Sequence, residues 1–242
     1  MERGGSAPMI NLLAEPGTIE VGASVWPGPE EAHHLKVRRA RAGEPIRVVD
    51  GRGQVGHGAL QPDGTVLLSS LEVIVPPPGL TLAVGAGDRD RFGWLVEKSA
   101  ELGVTDLIPL ETERTAGVAS RVRAQHLQRL QRRALEGIKQ CGAAWAPVVH
   151  PPRPLGDLLA EPGPGIRWLA SAGGGNPGGL PPGESILVVI GPEGGLSAFE
   201  LEQLQSAGFL RVRLGPHVLR FETAAVAAAC HIFQLREATP HG

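Results

Sequence analysis

Residues Ile186 to Ala229 read ILVVIGPEGGLSAFELEQLQSAGFLRVRLGPHVLRFETAAVAAA. The all-apolar run Ile186–Ile190 has the look of a strand buried on both faces. It enters a glycine-rich turn, Gly191-Pro192-Glu193-Gly194-Gly195. A helix follows, signalled by Ser197 and Glu200 as a capping box and closed by Gly208. A second apolar strand leads to Leu214-Gly215-Pro216 and then to Leu219-Arg220-Phe221-Glu222-Thr223. The last helix carries Ala224-Ala225-Val226-Ala227-Ala228-Ala229, small on nearly every side and suited to close packing inside the protein or against a second subunit. Two glycine turns at the ends of neighbouring buried strands predict a backbone-lined pocket for a small ligand, because glycine permits positive φ and close approach.

Strands and helices alternate upstream of this stretch. The pattern predicts a strand over Leu80–Ala86 and a helix over Phe92–Leu102 with Gly103 as its C-cap. It then predicts a strand over Val104–Leu110 and a helix over Val122–Gln140, with Leu127, Leu130, Ala134 and Ile138 at helical spacing. Trp145–Val149 and Arg167–Ala170 are further strand candidates, and Gly173–Gly183 reads as a flexible loop. Such alternation implies a parallel sheet covered on both faces. The first part is different. Short β-prone runs, Ile46–Val49, Gln54–Leu60 and Thr65–Leu68, are separated by Asp50-Gly51-Arg52-Gly53 and Pro62-Asp63-Gly64, which are hairpin signals. With a short helix near Pro29–Ala40 they predict a small barrel over residues 1–75. Pro76-Pro77-Pro78-Gly79 suits a stiff linker, and residues 80–242 form the second domain.

The chain has 242 residues, 42% hydrophobic and 20% charged, with a net charge of −2. That balance excludes a uniformly basic nucleic-acid binder, so any such surface is local. Two cysteines are too few for a disulfide framework and fit a reducing cytosol. No apolar run is long enough to span a membrane, and the N-terminus lacks the apolar core of a leader.

The first glycine turn matches neither a dinucleotide fingerprint nor a phosphate loop. Glu193 within it would repel phosphate, which favours a ligand with cationic character or one held by backbone. The plainer alternative is a tight strand-to-helix turn without a ligand. Arg220 and Glu222 stand in an apolar, buried-looking context, so they are either functional or an internal ion pair that caps the last helix. Two basic clusters, Lys36–Arg52 and Arg121–Lys139, fit contact with a phosphate backbone or are solvated faces. His33-His34 lacks a third ligand at metal spacing, so no metal is expected.

GPEGGLSAFE, LGPHVLRFETAA, EKSAELGVTDLIPLETERT and HHLKVRRARAGEPIRVVDGRG resemble successive blocks of the bacterial small-subunit ribosomal RNA uridine N3-methyltransferases of the SPOUT class. The resemblance spans most of the chain. It implies an α/β trefoil-knotted methyltransferase domain preceded by a small PUA-like β-barrel, working in the cytoplasm as a homodimer on 16S ribosomal RNA. It implies S-adenosylmethionine as cofactor, held by Leu169, Ala170, Gly191, Pro192, Glu193, Gly194, Gly195, Leu214, Gly215, Val218, Leu219 and Thr223. It implies Arg220 and Glu222 as catalytic residues, Arg220 stabilising the uracil anion and Glu222 orienting it. RNA contact falls to His34, Arg38, Arg39, Arg52, Lys98 and Arg114. The chain departs from the family pattern at His217, where an arginine is usual, at Lys139, where a glutamate is usual, and at Ala143-Ala144. The rival readings are a SPOUT methyltransferase with another RNA nucleotide as target and a non-catalytic RNA-binding assembly factor.

Overall fold

The computed structural model describes residues 9–181 and 183–238, which divide into two compact units. Residues 1–8 and 239–242 lie outside the described ones. They carry part of the leader reading and the outer limits of the two expected domains.

The first unit holds the described residues up to Pro76 together with Ile138–Ala146. Its elements are β1 (Ile10–Leu13), β2 (Ser24–Val25), α1 (Pro29–Val37), β3 (Pro45–Val49), β4 (Gln54–Leu60) and β5 (Val66–Val73). The five strands run in the order β1-β3-β4-β5-β2. β3, β4 and β5 form an antiparallel meander, as the Asp-Gly turns predict. Asp50 makes the first turn by accepting from the amides of Arg52 at 2.7 Å and Gln54 at 3.0 Å, the short-range bonding that favours aspartate there. Ile46 and Val48 alternate inward and pack with Ile10, Leu12, Val66 and Leu68, while α1 adds Leu35. Among the described residues no pairing joins β1 to β2, so the expected barrel is an open five-stranded sheet in its hydrogen bonding.

Ile138–Ala146 is bound into this unit by polar contacts. Lys139 Nζ lies 3.0 Å from Glu31 Oε1, with both side chains nearly buried. Asn11 Nδ2 donates to the Lys139 carbonyl at 2.9 Å, and Trp145 Nε1 donates to the Ile74 carbonyl at 3.0 Å. The cation at Lys139, a departure from the family pattern, thus has its carboxylate in Glu31.

The second unit contains β6 (Leu80–Val84), α2 (Arg89–Glu101), β7 (Asp106–Glu111), a 3-10 turn (Ala124–His126) and α3 (Leu127–Cys141), whose last residues belong to the first unit. β8 (Val148–Val149), β9 (Arg153–Pro154), α4 (Leu155–Ala160), β10 (Ile166–Gly175), β11 (Ile186–Ile190), α5 (Ala198–Ser206), β12 (Leu210–Val212) and α6 (Phe221–Ala238) follow. The sheet order is β12-β10-β11-β6-β7-β8, with β9 also on β7, and every pairing is parallel. Both faces are covered. Leu80, Leu82 and Val84 of β6 and Ile186, Val188 and Ile190 of β11 join Phe92, Leu130 and Ala225 on one side. Ala83, Leu187 and Val189 join Leu155, Leu158 and Leu204 on the other. This period-2 split puts helices on both faces.

Several elements differ from the sequence expectation: β1, β2, β9 and α4 carry no prediction, β5 runs on to Val73, and three more are shifted. α3 starts at Leu127 rather than near Val122, because Arg123 is extended and its amide donates to His126 Nδ1 at 3.1 Å. The strand expected over Trp145–Val149 is only Val148–Val149, and Trp145 forms an isolated bridge with Arg52. β10 runs on into the segment read as a loop: Arg213 N donates to Gly175 O at 2.8 Å. A Cβ on Gly174 would lie 2.6 Å from the Val212 carbonyl carbon, so only glycine allows the two backbones this close.

Candidate functional site

β11 delivers the first glycine turn to the end of the parallel sheet, where ligand crevices of such sheets lie. Gly195 has φ +76°, and its amide donates to Pro192 O at 2.7 Å, which closes the turn. Ser197 caps α5 reciprocally with Glu200: each side chain takes the other's amide. The second oxygen of buried Glu200 accepts from Glu113 N at 2.9 Å, tying the loop after β7 to the turn. Arg114 in that loop donates to the Gly194 carbonyl. Gly85, just after β6, lets that strand meet the turn, since a Cβ there would stand 2.6 Å from Pro192 Cδ.

A cavity of about 320 Å³ lies between the turn and the segment after β12. Its walls include Leu169 and Ala170 of β10, Gly191, Pro192, Glu193 and Gly195 of the first turn, and Leu214, Gly215, Val218 and Leu219 of the second. The size is at the lower end of the roughly 300–1,000 Å³ usual for small-ligand sites. Bare backbone forms part of the wall. A Cβ on Gly191 would meet Leu196 Cγ at 3.1 Å, and one on Gly215 would meet Leu219 at 3.4 Å. Gly194 and Thr223 are not among the lining residues; Gly194 instead carries Arg114. The lining also holds Ser171, Arg211 and His217, which the sequence reading left out of the pocket. Arg211 donates to Ser171 Oγ at 2.9 Å. Alternation about buried Val212 places Arg211 on the opposite side of its strand, but nothing in the sequence says that a cavity lies there.

The charges are arranged differently from the sequence expectation. Arg220 is exposed, not buried, and no ion pair joins it to Glu222 among the described residues. Glu222 Oε1 instead lies 3.8 Å from Arg91 Nη1, and Glu193 Oε1 lies 3.7 Å from the same nitrogen. Arg91 Nε also stands 3.8 Å from Asp88, the residue that caps α2. Arg91 therefore stands between the carboxylate of the first glycine turn and that of the first turn of α6. Glu222 Oε2 is buried without a hydrogen-bond partner. Because Arg91 partly offsets Glu193, the carboxylate in the turn argues less for a cationic ligand than the sequence suggested. Arg91 carries no local sequence signal, being one arginine among several near a helix start.

In the first unit, Arg38, Arg39 and Arg52 are exposed and His34 is half-buried. Arg38 and Arg39 end α1, and Arg39 has φ 55°. In the second unit, Lys98 lies 2.6 Å from Glu101 and 3.4 Å from Glu97. The hydrogen bond to Glu101 is the main cause holding its ammonium above the usual lysine range. Lys98 is thus occupied by carboxylates, whereas Arg114 lies on the first glycine turn. Among the described residues no helix is long and apolar enough to cross a membrane.

Residues 76–233 match the model of an RNA methyltransferase domain, and residues 27–67 match that of an RNA methyltransferase PUA domain. The chain is 30% identical to the ribosomal RNA small subunit methyltransferase E of Synechocystis, over 93% of this chain and 78% of that relative. It is 28% identical to the protein of that name from Aquifex aeolicus, over 81% and 88% of the two chains. The crystal structure of the Neisseria gonorrhoeae ribosomal RNA small subunit methyltransferase E bound to S-adenosylmethionine superposes with a TM-score of 0.82 at 28% identity, covering 96% of this chain and 100% of that one. The family model spans most of the chain and the sheet that carries the cavity, and the chain belongs to the RNA methyltransferase family.

Proposed function

We propose that this protein transfers a methyl group from S-adenosylmethionine to N3 of a uridine in small-subunit (16S) ribosomal RNA. The cavity between the two glycine turns carries the reading: it is of ligand size and walled partly by bare backbone, in a chain of this family. The residues fit the cofactor. Leu169, Leu214 and Leu219 offer apolar surface, and the glycine backbone offers polar groups that no side chain screens. Bound there, S-adenosylmethionine supplies an electrophilic methyl carbon.

The chain's part is to orient the uracil and manage its N3 proton. Uracil N3 becomes nucleophilic only as that proton passes to solvent water, and the negative charge spreads to the flanking oxygens. Arg220, exposed at the second turn, is the group we assign to that charge. Glu222 is held by Arg91 rather than by Arg220, so it does not orient Arg220 directly. Holding both substrates in line supplies much of the rate.

Further parts of the reading rest on the same family likeness. The chain-late strands β10, β11 and β12 lie together, and α6 returns onto α2, β6 and β11, which supports a trefoil knot at this end of the sheet. Phe233 of α6 and Trp94 of α2 are 55% and 44% exposed, on helices packed against each other, which supports a homodimer through this face. The unit around β1–β5, residues 1–75 with the added Ile138–Ala146, is assigned to RNA holding, and the RNA substrate assigns the protein to the cytoplasm.

Incubation with methyl-labelled S-adenosylmethionine and small ribosomal subunits tests the reading. Label in the RNA supports it, and an unlabelled RNA from substrate lacking the modification contradicts it.

A further inference from the structure

Gly93 sits buried inside α2, a position where glycine is a poor helix former. The space it leaves is taken by Arg133 of α3. A Cβ on Gly93 would stand 2.6 Å from Arg133 Nη1 and 3.1 Å from its Cζ. The guanidinium thus lies half-buried against the backbone of α2. Arg89 is one turn before Gly93, and Arg129 is one turn before Arg133, so each pair shares a helix face. These residues line a shallow depression with His126, Leu130 and Asp90. Asp90 is the one carboxylate in the lining, against three arginines. Among the described residues, no hydrogen bond or ion pair engages the guanidinium of Arg89, Arg129 or Arg133.

Three guanidinium groups around one depression with a single carboxylate repel one another, and an anion relieves that repulsion with charge-assisted hydrogen bonds. The depression shares no lining residue with the cavity at the glycine turns. Arg89 and Arg91, two positions apart, point to different sides of α2. Arg129 also lines a second cavity, of about 720 Å³, with Leu135 and Val149 in its wall. Arg129 lines both the anion seat and this partly apolar cavity, an arrangement that suits a polymer, with the phosphate at the arginines and the adjoining nucleoside beside Leu135.

We propose that Arg89, Arg129 and Arg133 form a phosphate-binding site for the backbone of the RNA substrate, a reading that rests on the RNA methyltransferase function proposed above. Arg133 is the fixed member, because Gly93 seats it before RNA arrives.

The test compares the parent with Arg129→Gln, Arg133→Gln and the double variant in binding to transcribed 16S ribosomal RNA across a salt series. Each lost phosphate contact is expected to lower the slope of log affinity against log salt by about 1, and to weaken binding several-fold at moderate salt. Arg153→Gln, which removes the same charge from an ion pair with Glu161, controls for net charge and is expected to leave the slope unchanged. Thermal stabilisation by S-adenosylmethionine, equal in all variants, shows that they remain folded. Inorganic phosphate as competitor distinguishes the ligand: weak competition at concentrations where RNA saturates supports a polymer site, whereas equally tight phosphate binding overturns it. Parental slope in the double variant, or an equal fall in Arg153→Gln, also overturns the proposal. A parent that binds RNA normally while the variants are unchanged defeats this site alone. A parent that neither binds nor methylates RNA defeats the function on which it rests.

Discussion

Arg91 meets two carboxylates far apart in the sequence, Glu193 at 3.7 Å and Glu222 at 3.8 Å. Its side chain is 39% exposed, so solvent screening keeps each pair weak. A double-mutant cycle between Arg91→Ala and Glu222→Gln is expected to give a coupling of roughly 0.5–1 kcal/mol in urea unfolding; zero coupling would show that the contact contributes nothing. Arg220 differs, since no carboxylate of the described residues holds it. Arg220→Ala is expected to leave S-adenosylmethionine binding intact by calorimetry and to lower methyl transfer by about 10²-fold or more; turnover equal to the parent's would remove Arg220 from the mechanism. The glycine turns of the cavity were legible because backbone rules act locally: Gly191 and Gly195 follow an apolar strand, and Ser197 with Glu200 announces the next helix, whereas Leu214 and Leu219 came from the family resemblance. Arg91 was not legible, because its meaning comes from β11 and α6, which only the fold brings to it.

Helices and strands were read best where burial follows a period. Leu80, Leu82 and Val84 on one face with Ala83 on the other mark β6 as a strand covered on both sides. β10 was cut short for the opposite reason: its end is glycine, and its pairing depends on the backbone of β12 rather than on side chains. At the edge of the sheet, β7 and the segment after β8 are joined by Asp106 Oδ1 and His150 Nε2 at 2.6 Å. That hydrogen bond is the main cause holding the Asp106 carboxyl below its ordinary range, with burial opposing it. A depressed carboxyl contributes stability above its unfolded value, near pH 4, and loses it as pH falls through the lower folded value. His150→Leu is therefore expected to cost up to about 1 kcal/mol at neutral pH, discounted because both groups are over a third exposed, and to cost progressively less between about pH 4 and pH 2. Urea titrations at several pH values would check it; a cost independent of pH would mean that packing alone is lost.

For the chain as a whole, pattern separated a β-rich first part from an alternating second part, and Pro76–Gly79 falls at the change. It did not reveal that Ile138–Ala146 joins the first unit, because the helix period through Ile138 continues unbroken and only partners such as Glu31 and Asn11 show the allegiance. Phe233→Glu puts a charge on an apolar, 55% exposed position of α6 and is expected to shift the protein from dimer to monomer in sedimentation without lowering its helix content; an unchanged sedimentation coefficient would move the interface elsewhere. Methylation of uridine N3 in small-subunit ribosomal RNA puts the methyl group on the base-pairing edge. The most direct test is therefore reverse transcription along 16S ribosomal RNA from a strain lacking this gene, before and after treatment with the purified protein and S-adenosylmethionine. The expected result is a new stop beside a single uridine, with 3-methyluridine recovered on digestion. A methyl group on another base or on ribose, or no modification of this RNA, would contradict it.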